Sequence, residues 1–212
     1  MQWLKNNPSS PATLINELVE NHYQDLGRTE FSLLPELTDA ELNDYLTQQN
    51  ADEFSRTPTS QNHCYDTSCL NRQQSHPLIA DLLQNYGNGL LTRLATRLCE
   101  LANLPDLIRK NMAEIRTDSP LRDCQSYASA TGLAQVQTSR GLLIHRVELK
   151  QSIIKNYQII APTEWNFHPQ GIAALSLQKP TKILLQQQAS LMINALDPCV
   201  AFDVFIEKEA KL

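Results

Sequence analysis

Cysteine and histidine side chains offer the most evident chemistry in this sequence, because thiolates and imidazoles bind metals and act as nucleophiles. The five cysteines are Cys64, Cys69, Cys99, Cys124 and Cys199. Their odd number and irregular spacing are typical of reduced thiols and argue against a disulfide framework. We therefore interpret them as free thiols and expect a cytoplasmic protein.

One group of residues, His63, Cys64 and Cys69, has the side chains of a soft metal site. Its spacing matches neither a zinc motif nor an iron-sulfur motif. We interpret the group as part of a loop and keep open the alternative that its thiols add ligands to a metal site. The remaining candidates are interpreted as structural: Cys99, Cys124, His145 and His168.

Cys199 follows Asp197 and Pro198 just past the predicted end of the last helix, because proline cannot continue a helix. Two interpretations stay open for this thiol. It is a buried structural residue, as free cysteines often are, or a functional thiol presented at a helix end.

A polar, helical leader is predicted for residues 1–65. A first helix starts at Ser10, and the capping-box spacing of Thr38 and Glu41 predicts a second one. The stretch 51–67 is rich in Asn, Ser, Thr and Asp, which indicates a loop. We place a domain boundary near residue 65.

The main domain, residues 66–212, begins with the strongest helical pattern of the chain. Leucines recur every three or four residues after Pro77 and predict one long helix. Gly87 and Gly89 fall inside it and imply a kink or a close backbone approach. Pro105 is expected to end the helix.

Two apolar runs, residues 142–149 and 153–160, predict a β-hairpin, since polar residues separate them. Irregular chain is expected after the hairpin, then a last helix that starts at Thr181. The tail, residues 200–206, resembles a strand. The expected fold class is α+β, mainly α, a helical domain with one β-hairpin.

Composition narrows the function classes. The chain has 212 residues, a net charge of -5 and 42% hydrophobic residues, which suits a globular protein. It has no basic run of the kind that nucleic acid or an anionic membrane selects. No apolar stretch approaches the ~18 residues of a membrane span, and the first residues lack the pattern of a secretion signal. We expect neither nucleic acid nor a membrane as partner.

Three segments resemble one family, the large subunits of nickel-iron hydrogenases. Residues 156–169 resemble the segment that runs past the active site. Residues 139–145 resemble the arginine-glycine turn that overhangs the iron, and residues 193–199 the carboxy-terminal cysteine motif. Arg72, residues 76–78 and residues 87–93 are similar to the helical region of the HupK-type hydrogenase expression/formation paralogues. The resemblance covers the chain from about residue 67, and it implies the carboxy-terminal part of the large-subunit fold.

The sequence departs from the catalytic pattern at the metal ligands. In the resembled enzymes, four cysteine thiolates hold the two metals, two of them from an amino-terminal Cys-x-x-Cys pair. Here Cys199 is present, but Phe202 and Phe205 stand where the motif has its second cysteine and its histidine. No Cys-x-x-Cys occurs, and nickel prefers several thiolates. The resemblance therefore implies a protein that is not an enzyme and binds no nickel.

The matched residues imply a role at the iron half of the cofactor, an Fe(CN)2(CO) moiety that is bound transiently. By resemblance, Arg140 and Thr163 donate hydrogen bonds to the cyanide ligands, Pro162 walls the pocket, and Cys199 anchors the iron. The alternative for Arg140 is a structural role, in an ion pair with Glu148 or Glu164.

The function that this resemblance implies is a maturation or assembly scaffold for nickel-iron hydrogenase. Its partners are then hydrogenase maturation proteins and the large subunit. Two alternatives stay open: a divergent or truncated hydrogenase large subunit, and a metal-free interaction protein that keeps the fold.

Overall fold

The chain is mainly helical around one antiparallel sheet, which confirms the predicted α+β class. The computed structural model describes residues 6–48, 50–115, 130–178 and 185–206, and the backbone of residues 125–128. The helices are α1 (Ser10–Glu20), α2 (Asp39–Thr47), α3 (Ala51–Arg56), α4 (Cys69–Gln73), α5 (Pro77–Tyr86), α6 (Leu90–Glu114), α7 (Pro162–Asn166), α8 (Ile172–Ser176) and α9 (Leu185–Leu196). The strands are β1 (Gln125–Ala128), β2 (Thr131–Thr138), β3 (Gly141–Lys150) and β4 (Ile153–Ile160).

The sheet has the order β1-β2-β3-β4, and every neighbouring pair is antiparallel. Strands β3 and β4 are the predicted hairpin, which is confirmed. Strands β1 and β2 were not predicted, because polar residues such as Gln135 and Gln137 interrupt the apolar alternation of β2. Gln135 pairs with buried Ile144 of β3 in the sheet register. Its side-chain amide donates to the Leu37 carbonyl at 3.0 Å. A long-range contact thus satisfies a polar residue that interrupts the local strand pattern.

The leader packs against the inner face of the sheet. The predicted capping box is confirmed, since Thr38 Oγ1 accepts from Glu41 N and the Glu41 carboxylate accepts from Thr38 N. Helix α3 corrects the predicted loop, because Phe54 is buried and stacks on Tyr45 at 4.7 Å between ring centroids. One core cluster joins the leader and the sheet: Leu34, Leu37, Leu42, Leu46, Phe54, Leu133, Leu142, Ile144, Ile160 and Trp165. The domain boundary near residue 65 stays a prediction.

The long helix that the leucines predicted is two helices, α5 and α6, separated at Gly87 and Gly89. Gly87 has φ +59°, a left-handed conformation that favours glycine. A Cβ on Gly89 would lie 2.7 Å from the Asp25 Cα, so the leader approaches the backbone closely here. The apolar period continues across the break, which is why the sequence predicted a single helix.

Helix α6 continues past Pro105 to Glu114, so the predicted end at Pro105 is wrong. A proline removes one backbone N–H from the helical ladder and clashes with the preceding turn. Here the surrounding turns are exposed, so water reaches the carbonyl that loses its partner. Strong helix formers on both sides then continue the helix.

After the hairpin the chain forms two short helices, α7 and α8, where irregular chain was predicted. Helix α9 confirms the last predicted helix, although its expected start at Thr181 lies outside the described residues. The tail, residues 200–206, contains no strand, which corrects that prediction. Among the described helices, none is long and apolar enough to cross a membrane.

Candidate functional site

The thiol of Cys199 is exposed beside the start of α7. Its sulfur lies 3.3 Å from Thr163 Oγ1, so the hydroxyl and the thiol share a hydrogen bond. Pro162 is buried and occupies the first turn of α7, where a missing N–H costs nothing and the fixed φ suits the helix. The structure therefore brings Cys199, Thr163 and Pro162 together at the end of the hairpin.

Asp197, two residues before Cys199, fixes the turn that follows α9. Its φ of +55° is left-handed, and its N–H still bonds to the Ile193 carbonyl at 3.0 Å. The helix thus ends in a single residue of left-handed conformation. The chain changes direction at this residue, so Pro198 can follow and Cys199 leaves the helix axis.

Two arginines contact Asp197. Arg140 Nε donates to the Asp197 carbonyl at 3.1 Å and lies 3.4 Å from its carboxylate. Arg97 lies 3.4 Å from the same carboxylate and donates to the Asn194 carbonyl at 3.0 Å. Two guanidinium groups against one carboxylate leave one net positive charge at Asp197, two residues before Cys199. Both arginine side chains are 40% exposed, so this charge is partly screened by solvent.

The alternative ion pairs of Arg140 are taken by other groups. The Glu148 carboxylate accepts from Lys155 Nζ at 2.9 Å, and this contact holds the pKa of Glu148 below its usual value. The Glu164 carboxylate accepts from the Ala161 N–H at 2.9 Å, at the start of α7. Arg140 pairs with Asp197 instead, which sets its guanidinium close to the cysteine motif.

Thr67 and Asn166 connect the arginine turn to α7. The Thr67 N–H donates to Asn166 Oδ1 at 2.9 Å, and Asn166 Nδ2 donates to the Thr67 carbonyl at 2.7 Å. Thr67 Oγ1 also accepts from the Leu142 N–H at 3.0 Å. Thr67 and Asn166 are both buried, so these bonds are shielded from water and fix one short helix against one strand.

Gly141 completes this junction. It has φ +130°, and an added Cβ would lie 2.6 Å from the Thr67 carbonyl oxygen. On the other side of the turn, Arg72 donates to the Ser139 carbonyl at 3.2 Å while it pairs with Glu100 at 2.6 Å. The position of Arg140 is thus set by backbone contacts on both sides of it.

The other predicted thiols lie in different surroundings. Cys64 Sγ lies 3.1 Å from His168 Nδ1, and burial raises the pKa of this thiol while it lowers the pKa of the imidazole. Cys69 is buried, and burial together with the Glu100 charge raises its pKa to about 11. The raised pKa values of Cys64 and Cys69 favour the neutral thiol, whereas a metal ion binds the thiolate. His63 contacts its own loop, since its Nδ1 lies 2.7 Å from the Gln61 carbonyl.

The donor set does not fit a resident nickel-iron centre. In the part of the chain that the structure describes, no group of three His, Cys, Asp or Glu side chains is arranged to hold a metal ion. Cys199 is one exposed thiol, and the positions three and six residues further on are phenylalanines. A bimetallic centre needs several soft ligands around each metal, and among the described residues of the cysteine motif only Cys199 supplies one.

Sequence reasoning named Arg140, Pro162, Thr163 and Cys199, but it missed the residues that hold them in place. Asp197 and Asn166 stand inside the matched segments, yet no local signal reveals their partners. Thr67 lies 99 residues before Asn166, and Arg97 lies 97 residues before Asn194. Only the fold brings these pairs together.

Comparison with known proteins gives this site a family context. Hydrogenase expression/formation protein HoxV of Cupriavidus necator is 34% identical over 161 residues, which cover 72% of this chain and 40% of that protein. Hydrogenase expression/formation protein HupK of Azotobacter vinelandii is 41% identical over 81 residues, which cover 37% of this chain and 24% of that protein. The chain thus spans less than half the length of these curated relatives.

A similar fold occurs in the Ni-Fe-Se hydrogenase from D. vulgaris Hildenborough. It is 22% identical with a TM-score of 0.53, and the match covers 68% of this chain and 36% of that one. The sequence model of nickel-dependent hydrogenases matches residues 67–204, which include the arginine turn, α7 and the cysteine motif. With well over half of its length inside that match, the chain belongs to the nickel-dependent hydrogenase family.

Proposed function

We propose that this chain is a non-catalytic maturation protein for nickel-iron hydrogenase, which receives an Fe(CN)2(CO) moiety as cargo and passes it to the large subunit. The maturation role is supported by the relatives, since HoxV and HupK are both named hydrogenase expression/formation proteins. The cargo is supported by the site, in which three separate segments converge on one exposed thiol.

The observation that carries the proposal is the Thr163–Cys199 contact of 3.3 Å beside the Arg140–Asp197 pair. The Cys199 sulfur would be the protein ligand that holds the iron. Cyanide ligands carry partial negative charge on nitrogen and accept hydrogen bonds. The Thr163 hydroxyl and the Arg140 groups not bound to Asp197 are suitable donors, and buried Pro162 adds an apolar side chain beside Thr163.

The same geometry favours a carrier over an enzyme. One thiol that solvent reaches holds an iron less tightly than several buried thiolates do, because water and other ligands compete for the metal. Weak retention suits a protein that gives its cargo away. A hydrogenase large subunit needs the opposite property, and the donors described above do not supply it.

The partners follow from this role. We propose that the chain contacts hydrogenase maturation proteins that deliver the iron moiety, and the large subunit that accepts it. We place this work in the cytoplasm, since the cysteines that the structure describes are free thiols, which suits a reducing compartment.

A complementation experiment tests the maturation role. In a host whose own copy of the gene is deleted, the wild-type chain should restore hydrogen uptake by the host's hydrogenase. The Cys199→Ala variant should fail, while Cys99→Ala, which removes a half-buried thiol outside the candidate site, should succeed. Unchanged hydrogenase activity in the deletion host contradicts the proposal. Hydrogen uptake by the purified chain alone contradicts it as well and supports the enzyme alternative.

A further inference from the structure

The second half of α6 projects from the body of the protein. Residues Leu90 to Thr96 are mostly buried against the other helices, whereas every residue from 101 to 115 is exposed. At 1.5 Å per residue, the projecting part is roughly 20 Å long. An isolated helix of this length is marginally stable in water, so a second surface is expected to cover it.

An apolar stripe runs along this projecting part. It consists of Leu101, Leu104, Ile108, Met112 and Ile115, and the last three are 53%, 67% and 74% exposed. At about 100° per residue, the five side chains fall within roughly 80° of the helix surface. Asn103, Asp106 and Lys110 occupy the opposite side. The stripe is therefore the apolar face of an amphipathic helix, not a scatter of exposed residues.

The apolar positions of the stripe have the same spacing on both sides of Ile108. The apolar residues stand four and seven positions before it and four and seven positions after it. When two copies of this helix lie antiparallel with Ile108 on the twofold axis, position 101 faces position 115 and position 104 faces position 112. Every facing pair is then apolar, which is the self-complementarity that a twofold interface requires.

The positions that flank the stripe lie on its two sides, Leu107 on one side and Arg109 on the other. A twofold axis at Ile108 brings each side against the same side of the second copy, so Leu107 lies near Leu107 and Arg109 near Arg109. The two leucines extend the apolar contact. Each Arg109 pairs with Asp106 of its own helix at 2.6 Å, which reduces the repulsion between the two guanidinium groups.

We propose that this chain dimerises through the projecting half of α6, which packs antiparallel on the same helix of a second copy about Ile108. Two helices of this length bury on the order of 1,000 Å² in total, the lower end of specific interfaces. The expected dissociation constant is about micromolar. The dimer is independent of the maturation role, because Cys199 and Arg140 do not belong to this surface.

Sedimentation equilibrium of the full chain between about 1 and 100 µM tests the dimer. The wild type should shift from monomer to dimer across this range. Ile108→Asp puts two like charges on the twofold axis and should raise the dissociation constant at least about a hundredfold. Asn103→Asp introduces the same residue on the opposite face and should leave it unchanged. Circular dichroism checks that both variants are folded.

Cysteine cross-linking tests the antiparallel register in a background where Cys99, Cys124 and Cys199 are serine. In the Ile108→Cys variant, the new cysteines of the two copies should form a disulfide with each other. Leu101→Cys and Ile115→Cys should cross-link when the two variants are mixed, and neither should do so alone. A monomer at about 100 µM overturns the proposal. Efficient self-cross-linking at position 101 or 115 overturns it too, since it indicates a parallel pair. Loss of the dimer in Asn103→Asp but not in Ile108→Asp places the interface elsewhere and rejects the proposal.

Discussion

Asn166 holds Thr67 through two buried hydrogen bonds of 2.9 and 2.7 Å, although the two residues are 99 positions apart. The side-chain amide of Asn166 binds the backbone N–H and C=O of Thr67, as a neighbouring strand does. Thr67 also accepts a hydrogen bond from the Leu142 N–H, in the strand that follows Arg140. The Thr67–Asn166 pair therefore links the arginine turn to the helix that carries Thr163.

Replacing Asn166 by alanine should destabilise the protein. The change leaves the Thr67 N–H and carbonyl buried without partners, at a cost of about 2–4 kcal/mol. For a chain of this size, the melting temperature should fall by roughly 5–15 °C. Asn103→Ala on the exposed part of α6 is the matched control and should change it little. Equal melting temperatures for the two variants contradict the role assigned to Asn166.

Gly141→Ala should also destabilise, because a Cβ would meet the Thr67 carbonyl at 2.6 Å and because φ is +130°. Strain of this kind costs about 1–3 kcal/mol. Gly132→Ala, in the adjacent strand, would meet only Val147 Cγ1 at 3.6 Å, an ordinary contact. Chemical unfolding of both variants checks the difference, and a Gly141→Ala protein as stable as Gly132→Ala would refute the close approach.

The thiols should differ in reactivity. Cys199 is exposed, whereas Cys69 is buried and its pKa is raised to about 11. A shift of this size leaves about a hundredfold less thiolate near pH 8 than an ordinary thiol has. Brief alkylation of the folded protein followed by peptide mass spectrometry should find Cys199 modified first and Cys69 last. Modification of Cys69 before Cys199 contradicts the structure.

Cys69 should also make stability depend on pH. Its folded pKa is raised above the ordinary value of 9.0, so folding favours the protonated thiol. The contribution is therefore complete below pH 9 and is lost as pH rises toward about 11. Since lysines titrate in the same range, the measurement is the difference in unfolding free energy between wild type and Cys69→Ala. A difference that stays constant from pH 8 to pH 11 argues against this shift.

The sequence predicted those elements whose patterns lie within a few adjacent residues. The capping box of Thr38 and Glu41 and the β3–β4 hairpin are two examples, since a few adjacent residues determine each. Strand β2 escaped prediction because Gln135 is satisfied by Leu37, almost a hundred residues away. Gly87 and Gly89 did predict a kink or a close backbone approach, but only the fold shows that the approaching backbone is that of Asp25 in the leader.

The candidate site divides in the same way. Arg140, Thr163 and Cys199 were named because short motifs resemble a known family, and the structure brings them together. The pairs that position them, Thr67 with Asn166 and Arg97 with Asp197, join distant parts of the chain. No spacing rule reveals such pairs, because their partners become neighbours only after the helices and the sheet have packed.

The infrared spectrum of the chain, purified from a host that co-expresses the hydrogenase maturation machinery, tests the central claim most directly. Our account predicts cyanide and carbonyl stretching bands that disappear in Cys199→Ala and remain in Cys99→Ala. Thr163→Val should retain the bands and shift those of cyanide, because one hydrogen-bond donor is lost. A spectrum without these bands and a preparation without iron would contradict the account, as would bands of equal strength in the Cys199→Ala protein.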